Sequence, residues 1–366
     1  MRVAVGISQN HDPRAAVFDA LAQSIDDAQR PDLTVIFYAG KFDPDAVWQA
    51  ACSKLAGRPF MGGSVAGIFT DENVFREGAA ALSLYGIAAR TRLVSTDGQR
   101  VYDVGQQAGR DLAHDGDQGS TVMILPSVRN PRLSVLIRGV YSRLGPEFQY
   151  IGAGTGTQFT EEGHTNDGVA LAMIKNVHFT LGTGHGWIPF GEPMLITRIE
   201  GHRIYELDGQ PAATRFRNAI RQVAKQDAEL IGSNYQLGIP CGNGDYIIRN
   251  IISSEDEALV CVTAFPSKSM VNLMTTSVLA LPAIAKRITE ETLIRHPHPR
   301  FAFLFDGISR ERLLKENFVQ ESRNIFRTLQ GLPAVGVLSY GQIDSSFGIP
   351  LLHSSALCVA IGGVSG

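Results

Sequence analysis

Apolar runs and glycine-rich turns follow one another in an order that occurs three times along the chain. In each copy, a short run rich in β-branched or aromatic residues precedes the turn, and a second apolar run follows it. Runs of this length and composition are typical of buried strands. The three turns occupy residues 60–69, 150–159 and 334–343. The order predicts a repeated unit of strand, helix, turn and strand.

Helical patterns lie between the paired runs. Asp43 stands where it can cap a helix that begins at Pro44, because proline suits the first helical position. Residues 132–144 place their apolar side chains on one face. A further helix is predicted over 274–288, where Pro282 would kink or split it. This mixture favours an α/β fold, with α+β as the alternative, built from mixed sheets in two lobes.

Four glycines and two prolines cluster within residues 181–193. Both residue types interrupt regular structure, so the cluster predicts a domain junction. It surrounds His185 and Trp187, which is one of two tryptophans in the chain. Because ligand pockets form preferentially at domain interfaces, His185 is a candidate for ligand contact. A loop histidine bonded to the backbone is the equal alternative.

The composition excludes several classes of protein. Of 366 residues, 44% are hydrophobic and 19% are charged, as in a globular protein with a core. A net charge of −3 without a basic patch argues against nucleic-acid binding. No apolar stretch reaches the length of a membrane span, and the N-terminus lacks a signal-peptide pattern. Four scattered cysteines favour reduced thiols, so we expect a cytoplasmic protein without membrane insertion.

One motif suggests catalysis and one suggests metal binding. Ser64 lies in Gly-Gly-Ser-Val-Ala, which nearly matches the Gly-x-Ser-x-Gly elbow of serine hydrolases. That elbow needs a helix after the serine, whereas residues 70–73 predict a turn, so a hydrolase using Ser64 is a weaker alternative. His296 and His298 are separated by a proline and lack a third ligand. No catalytic residue and no metal site are therefore predicted.

Two charged residues interrupt apolar strands. Arg249 lies within the run 246–252, and Asp306 follows the run 301–305. A buried charge needs a partner, so a pairing of Arg249 with Asp306 or with an anionic ligand is one interpretation. A strand-end position facing water is the alternative for each. His178 alternates within a strand-like run and is interpreted as a core residue.

Several segments, in their order and spacing, resemble the FIST sensory domain. They are Gly-Gly-Ser-Val-Ala-Gly in the first turn, Gly-His-Gly-Trp-Ile-Pro-Phe-Gly at 184–191 and Ile-Tyr-Glu-Leu-Asp-Gly-Gln-Pro-Ala at 204–212. Tyr-Ile-Ile-Arg at 246–249 and Ser-Tyr-Gly-Gln-Ile at 339–343 fit the same pattern. The resemblance covers nearly the whole chain. It implies an N-terminal FIST domain over 1–192 and a C-terminal FIST domain over 193–366.

The resemblance implies a sensor rather than an enzyme. FIST proteins are regarded as bacterial and archaeal sensor modules that bind small ligands, with amino acids among those considered. A stand-alone member would act on a separate signalling protein, such as a histidine kinase or a cyclic-di-GMP enzyme. Certain stand-alone members are described as haem-binding nitric-oxide sensors. They imply non-covalent haem b as an alternative cofactor, with His185 as the first choice of axial ligand and His178 as the second.

The predicted ligand contacts come from the segments that carry the resemblance and from the two charged strand positions. They are His185, Trp187, Arg249, Asp306, Tyr340, Gln342, Ser64 and Gly63. The chain departs from the family pattern where Ile68 follows Gly67 without the usual glutamate, where Gln342 replaces a glutamate, and where Asp306 stands in place of a frequent cysteine. These departures imply a different ligand preference or an altered site.

Overall fold

The three predicted turns connect the strands of three structural units. The computed structural model describes residues 1–26, 29–224, 234–241 and 244–364. The elements of the first unit are β1 (Arg2–Ser8), α1 (Pro13–Ser24), β2 (Leu33–Ala39), α2 (Pro44–Leu55), β3 (Phe60–Val65), β4 (Gly67–Phe69), β5 (Val74–Phe75) and β6 (Gly78–Tyr85). The Asp43 side chain caps α2 and Pro44 is its first residue, as predicted.

The second unit repeats this order of elements. Its members are β7 (Ala88–Ser95), α3 (Val101–Leu112), β8 (Thr121–Pro126), α4 (Leu133–Leu144), β9 (Gln149–Ala153), β10 (Gln158–Thr160), β11 (Gly163–Thr165) and β12 (Gly168–Lys175). The helix predicted over 132–144 is therefore present as α4.

The third unit begins with β13 (His178–Gly184) and is then interrupted by an insertion. The insertion consists of β14 (Trp187–Pro189), β15 (Met194–Glu200), β16 (Arg203–Leu207), β17 (Gln210–Pro211), α5 (Ala212–Ala224), β18 (Tyr235–Pro240), β19 (Tyr246–Arg249), β20 (Ile251–Glu255), β21 (Ala258–Cys261) and β22 (Met270–Thr276). The unit resumes with α6 (Leu281–Arg295), β23 (Pro299–Gly307), α7 (Ile308–Leu314), α8 (Phe318–Leu329), β24 (Ala334–Ser339), β25 (Gln342–Asp344), β26 (Leu351–His353) and β27 (Leu357–Gly363).

Each unit builds one sheet with the same strand pairing. In the first, β1 pairs antiparallel with β6, β6 pairs antiparallel with β2, and β2 pairs parallel with β3. The same relations connect β7, β12, β8 and β9, and again β13, β27, β23 and β24. The parallel pairs require a crossover connection, which α2, α4 and the α7–α8 segment supply. The predicted α/β class with mixed sheets and recurring units is confirmed.

The fifth and sixth strands of each sheet are a hairpin from another unit. Hairpin β4–β5 joins β24 of the third unit, β10–β11 joins β3 of the first, and β25–β26 joins β9 of the second. Each unit therefore gives one hairpin and receives one, in a closed cycle. We call this arrangement the hairpin exchange.

The three glycine-rich turns meet where the hairpins cross between sheets. The Ala66 amide donates to the Leu338 carbonyl at 2.8 Å, linking the first turn to the third. The Gly156 amide donates to the Ser64 carbonyl at 3.0 Å, and the Gly154 amide donates to the Gly341 carbonyl at 2.9 Å. We call this meeting point the turn junction.

Two of the repeated glycines make room for an aromatic ring from the received hairpin. Gly62 pairs across strands with Phe159, and Gly336 pairs with Phe69. A Cβ atom on Gly336 would lie 2.7 Å from the Phe69 ring, which is closer than a real contact allows. These two glycines therefore serve packing.

The three sheets enclose one apolar core and carry helices on their outer faces. Along β2, Phe37 points into this core and lies 6.2 Å from Phe305 between ring centroids, whereas Ile36 packs beneath α1 and α2. Every residue of β2 is buried. Burial on both faces explains why the strands appear in the sequence as continuous apolar runs.

The insertion forms a separate sheet in the order β19-β18-β22-β15-β16-β21-β20, against which α5 packs. The division after residue 192 stays a prediction. Hydrogen bonds connect the two parts of the chain that this division would separate, because β13 lies before residue 192 and pairs with β27, which lies after it. None of the helices in the described ranges has the length and apolar character needed to cross a bilayer.

The prediction of a helix over 274–288 is wrong at its start. Residues up to Thr276 belong to strand β22, and α6 begins at Leu281. Pro282 lies in the first turn of α6, where a proline nitrogen costs no helical hydrogen bond. Pro282 therefore begins a helix instead of kinking one.

Replacing Gly336 with alanine should destabilise the protein by about 2 kcal/mol through overpacking against Phe69. A second change, Phe69→Leu, should recover part of that loss, because Gly336 meets only side-chain atoms of Phe69. Urea unfolding of both single variants and the double variant measures this coupling.

Gly62→Ala provides the contrast. Its Cβ would meet the Ile36 carbonyl oxygen as well as the Phe159 ring. Phe159→Leu should therefore give little recovery, because the backbone contact remains. Equal recovery at both glycines would show that the packing explanation for Gly336 is wrong.

Candidate functional site

A cavity of about 380 Å³ lies where the third turn faces the insertion. This volume is in the range of small-molecule pockets. The turn supplies Ser339, Tyr340, Gly341 and Gln342. The remaining walls come from the start of α7, the insertion and the segment before β27; their residues are Trp187, Gln236, Asn250, Ile251, Ile252, Val262, Gly307, Ile308, Ser309, Arg312, Leu313, Ser354 and Ser355. We call this space the main cavity.

The floor of the main cavity is fixed by hydrogen bonds within the third unit. The Ser339 hydroxyl donates to the Asp306 carbonyl at 3.2 Å and accepts from Gln342 Nε2 at 2.9 Å. Gln342 Oε1 accepts from the Ala356 amide at 3.3 Å. Ser339 and Gln342 are fully buried, whereas Tyr340 is 41% exposed and lies at the rim. The floor is therefore rigid and its edge is accessible.

Two amide side chains from the insertion form part of the opposite wall. Gln236 Oε1 accepts from the Ile251 amide at 2.7 Å, and Asn250 Oδ1 accepts from the Ser355 hydroxyl at 2.7 Å. Ser355 also contacts Ser309, with 2.8 Å between the hydroxyl oxygens. Ser355 has a φ of +54°, which is rare for a residue with a side chain. This chain of contacts joins the insertion to the third unit across the cavity.

His185 lies behind Trp187 and has both ring nitrogens engaged. Nδ1 accepts from the Trp187 amide at 2.8 Å, so the proton of the neutral imidazole is on Nε2. Nε2 lies 3.0 Å from Asp245 Oδ1. The charge partner and hydrogen bonds lower the pKa of Asp245, with the His185 bond as the largest cause. His185 therefore positions Trp187, and through it one wall of the main cavity.

A buried arginine connects that wall to the third unit. Arg310 donates to both carboxylate oxygens of Glu321, at 2.7 and 2.6 Å, and to the carbonyls of His185 and Leu281, at 2.9 and 3.0 Å. Asp306 lies 3.8 Å from Arg310 and is fully buried. Burial, and then the charge of Glu321, raise the pKa of Asp306 well above its ordinary value.

Arg249 does not pair with Asp306. Its Nη1 donates to the Leu352 carbonyl at 2.7 Å, while the carboxylate that binds Arg310 most closely belongs to Glu321. Burial lowers the pKa of Arg249 to about 10, which leaves it charged at neutral pH. The predicted direct pairing is wrong because the two strand-end residues meet different partners at the boundary of the insertion.

The structure brings some of the predicted contacts together and separates others. Trp187, Tyr340 and Gln342 line the main cavity. Arg249 and Asp306 are each one residue from a lining position, and both are buried. Ligand contact by these five residues stays a prediction.

Ser64 and Gly63 lie at the turn junction, between the first and second turns. The Ser64 hydroxyl accepts from the Thr157 amide at 2.8 Å. Gly63 approaches Thr155, whose side chain a Cβ would meet at 2.7 Å. Ligand contact by this pair also stays a prediction. The contacts described for Ser64 include no imidazole that could act as a base, so they do not support the hydrolase alternative.

Neither His185 nor His178 fits the predicted role of axial haem ligand. An axial histidine needs a free ring nitrogen, whereas both nitrogens of His185 are engaged. His178 is exposed, and its ring lies 5.3 Å from that of His296. The interpretation of His178 as a core residue is wrong, because its side chain faces outward from the edge strand β13. Within the described residues, no histidine lines the main cavity.

Several lining residues were missed in the sequence. Gln236 and Asn250 are polar residues within apolar runs, the same signal that singled out Arg249. Ser309, Ser354 and Ser355 give no such signal. Arg312 is exposed on a short helix and looks like an ordinary surface residue in the sequence.

A smaller cavity of about 240 Å³ lies on the other side of His185. Asp245 and His353 line it together with residues of β13 and α6. His353 Nε2 lies 2.9 Å from Asp344 Oδ2, and both side chains are buried. Burial acts to raise the pKa of Asp344, but the contacts with His353 outweigh it and hold that pKa below the ordinary range.

Family comparisons cover most of the chain. A family model described as the FIST N domain matches residues 32–210, and one described as the FIST C domain matches residues 212–344. An uncharacterised protein of Mycobacterium tuberculosis is 25% identical over 213 residues, which are 56% of each chain. An uncharacterised protein of Mycobacterium bovis is 22% identical over 204 residues, 53% of this chain and 52% of its own. The chain thus spans about half the length of the curated relatives it matches.

Asp344→Asn should cost about 3 kcal/mol near neutral pH, because it removes the carboxylate that lies 2.9 Å from Nε2 of the buried His353. A carboxylate whose pKa is lower in the folded protein than in the unfolded chain stabilises the folded state. This contribution is complete above the unfolded-state pKa of about 4, and it is lost progressively as the pH falls below that value. The free energy of unfolding of the variant should therefore fall less steeply than that of the wild type between about pH 5 and pH 3.

Urea unfolding at a series of pH values measures this slope. The matched control is Asp71→Asn, because Asp71 is exposed and has no described hydrogen bond. The control should keep the wild-type slope. An unchanged slope in Asp344→Asn would contradict the assigned role of the pair.

Proposed function

This chain belongs to the FIST family, and we propose that it is a cytoplasmic sensor that binds a small ligand and acts on a separate signalling partner. FIST domains are associated with sensing in signal transduction. The observation that carries the proposal is the main cavity, which combines a rigid hydrogen-bonded floor with an exposed rim. Its mostly apolar walls with a few convergent polar groups are typical of ligand sites.

The position of the main cavity suggests how binding would be transmitted. A ligand on the third turn would touch both the third unit and the insertion, because residues of both line the space. The same turn is bonded to the second turn through Gly154 and Gly341. A ligand that binds one arrangement of insertion and unit more tightly than another shifts the population toward it. We propose that a partner such as a histidine kinase or a cyclic-di-GMP enzyme responds to that shift.

Catalysis is not part of the proposed function. The family association is with sensing, and the contacts of Ser64 lack a base. We propose Trp187, Tyr340 and Gln342 as the direct ligand contacts among the residues that the sequence predicted. His185, Arg249 and Asp306 would act from behind the wall through Trp187, Asn250 and Gly307.

Tyr340→Ala should weaken ligand binding about tenfold, as expected when an aromatic contact at a pocket is removed. It should leave the thermal midpoint nearly unchanged, because the Tyr340 hydroxyl makes no hydrogen bond with a described residue and the side chain is partly exposed. A metabolite panel screened by thermal shift identifies hits, and isothermal titration measures their affinity in both proteins.

Tyr102→Ala is the matched control, because Tyr102 is a partly exposed tyrosine on α3 that does not line the main cavity. Binding to a hit should survive this change. A hit whose affinity is equally reduced in both variants would argue against binding at the main cavity.

Absorption spectroscopy separates a metabolite sensor from a haem sensor. Because the ring nitrogens of His185 are engaged, we expect no Soret band with a protein axial ligand after haem is added to the purified protein. A Soret band that disappears in His185→Ala would contradict this expectation and restore haem-based sensing.

A further inference from the structure

Two side-chain amides that line the main cavity have unused N–H donors. Gln236 Oε1 is occupied by the Ile251 amide and Asn250 Oδ1 by the Ser355 hydroxyl, which leaves the NH₂ group of each side chain. Neither NH₂ group has a described hydrogen-bond partner, and both side chains line the cavity. Because the backbone N–H of Ile251 can only donate, the orientation of the Gln236 amide is fixed by its partner.

Two further lining residues carry a donor without a described partner. The Ser354 hydroxyl lines the cavity, is 4% exposed as a residue, and has no partner in the described part of the chain. The indole N–H of Trp187 likewise makes no hydrogen bond with any described residue. A buried polar group without a partner is costly. A ligand that supplies acceptor atoms would remove that cost.

The charge of the lining is also one-sided. Among the described residues that line the main cavity, Arg312 is the one with an ionised side chain. Arg312 is exposed at the mouth and forms no ion pair within the described ranges. Behind the lining, Arg249 is charged, and Arg310 is balanced by Glu321. The charge that the described lining presents to the cavity is therefore positive.

The other walls are apolar. Trp187, Ile251, Ile252, Val262, Ile308 and Leu313 surround the polar groups. Such walls favour a hydrocarbon or aromatic body over a highly hydroxylated one, because burying hydroxyl groups without partners is unfavourable.

We infer that the ligand is a small organic anion with an apolar body and without an ammonium group. This inference rests on the proposed ligand-binding function and specifies its ligand class. The anionic end meets Arg312 and the free N–H and O–H donors, and the apolar end meets the hydrophobic walls. An ammonium group would find no carboxylate within the described lining, and the amide oxygens of Gln236 and Asn250 each already accept one hydrogen bond. An α-amino acid is therefore a poorer ligand than the acid of the same skeleton.

The test compares probes that share one skeleton. The aromatic series is hydrocinnamate, phenyl phosphate, hydrocinnamamide, phenethylamine and L-phenylalanine. The aliphatic series is isocaproate, isocaproamide, isoamylamine and L-leucine. Binding is followed by the fluorescence of Trp187 in a Trp48→Phe background, since the chain has two tryptophans, and it is confirmed by titration calorimetry.

In at least one series, an anion should bind about tenfold or more tightly than its amide, amine and amino acid, since charge-assisted hydrogen bonds exceed neutral ones. Arg312→Gln should reduce the affinity of that anion about tenfold and leave the weak binding of its amide unchanged. Arg300→Gln removes a charge from an exposed arginine that is not part of the cavity lining and should change neither affinity. Preference for phenyl phosphate over hydrocinnamate would assign the anion as a phosphate ester, and the reverse would assign a carboxylate.

Tighter binding of an amino acid or amine than of the matching acid overturns the inference and leaves the sensor proposal standing. The same holds if Arg312→Gln does not alter anion affinity. Failure of every probe also overturns this ligand class. A metabolite hit whose binding is weakened by Tyr340→Ala would then still support the sensor proposal. The absence of any such hit would count against both the sensor proposal and the ligand class.

Discussion

The fold depends on backbone hydrogen bonds that each unit can make only with another unit. The fourth strand of every sheet would present a row of unpaired amide and carbonyl groups, and a received hairpin covers that edge. Because the hairpin exchange runs in one direction around a closed cycle, no unit can complete its own sheet. The turn junction is where these exchanges meet, so the third turn is held from both sides. The main cavity therefore has a floor that belongs to the most constrained part of the molecule.

The insertion is attached to this constrained part by buried arginines as well as by its connecting chain. Arg310 donates to the carbonyl of His185, on the segment that leaves for the insertion, and Arg249 donates from the insertion to Leu352. A buried cation that lost such a contact would remain desolvated without a partner. A movement of the insertion that breaks these arginine contacts therefore costs free energy. Movement is easier at the exposed rim formed by Tyr340 and Ile252.

The sequence was sufficient to predict the repeated unit, the three turns and the α/β class, because continuous apolar runs and glycine clusters are local signals. The hairpin exchange could not be predicted, because strands β4 and β24 pair although the chain between them contains most of the protein. Contacts between distant segments also limited the prediction of the candidate site. Tyr340 and Gln342 stood out in a motif, whereas Arg312 is significant only because folding places it beside Gln236. Arg249 and Asp306 were recognised as unusual, but their partners, Leu352 and Glu321, come from distant segments.

The direction of protein synthesis gives the hairpin exchange a further consequence. Gly67 leaves the ribosome long before its strand partner Leu338 is made. The nascent chain must hold hairpin β4–β5 without its sheet until β24 emerges, which exposes strand edges that chaperones can protect. The segment that completes this sheet also provides the floor of the cavity. A chain that terminates before the third turn therefore lacks the floor of the main cavity.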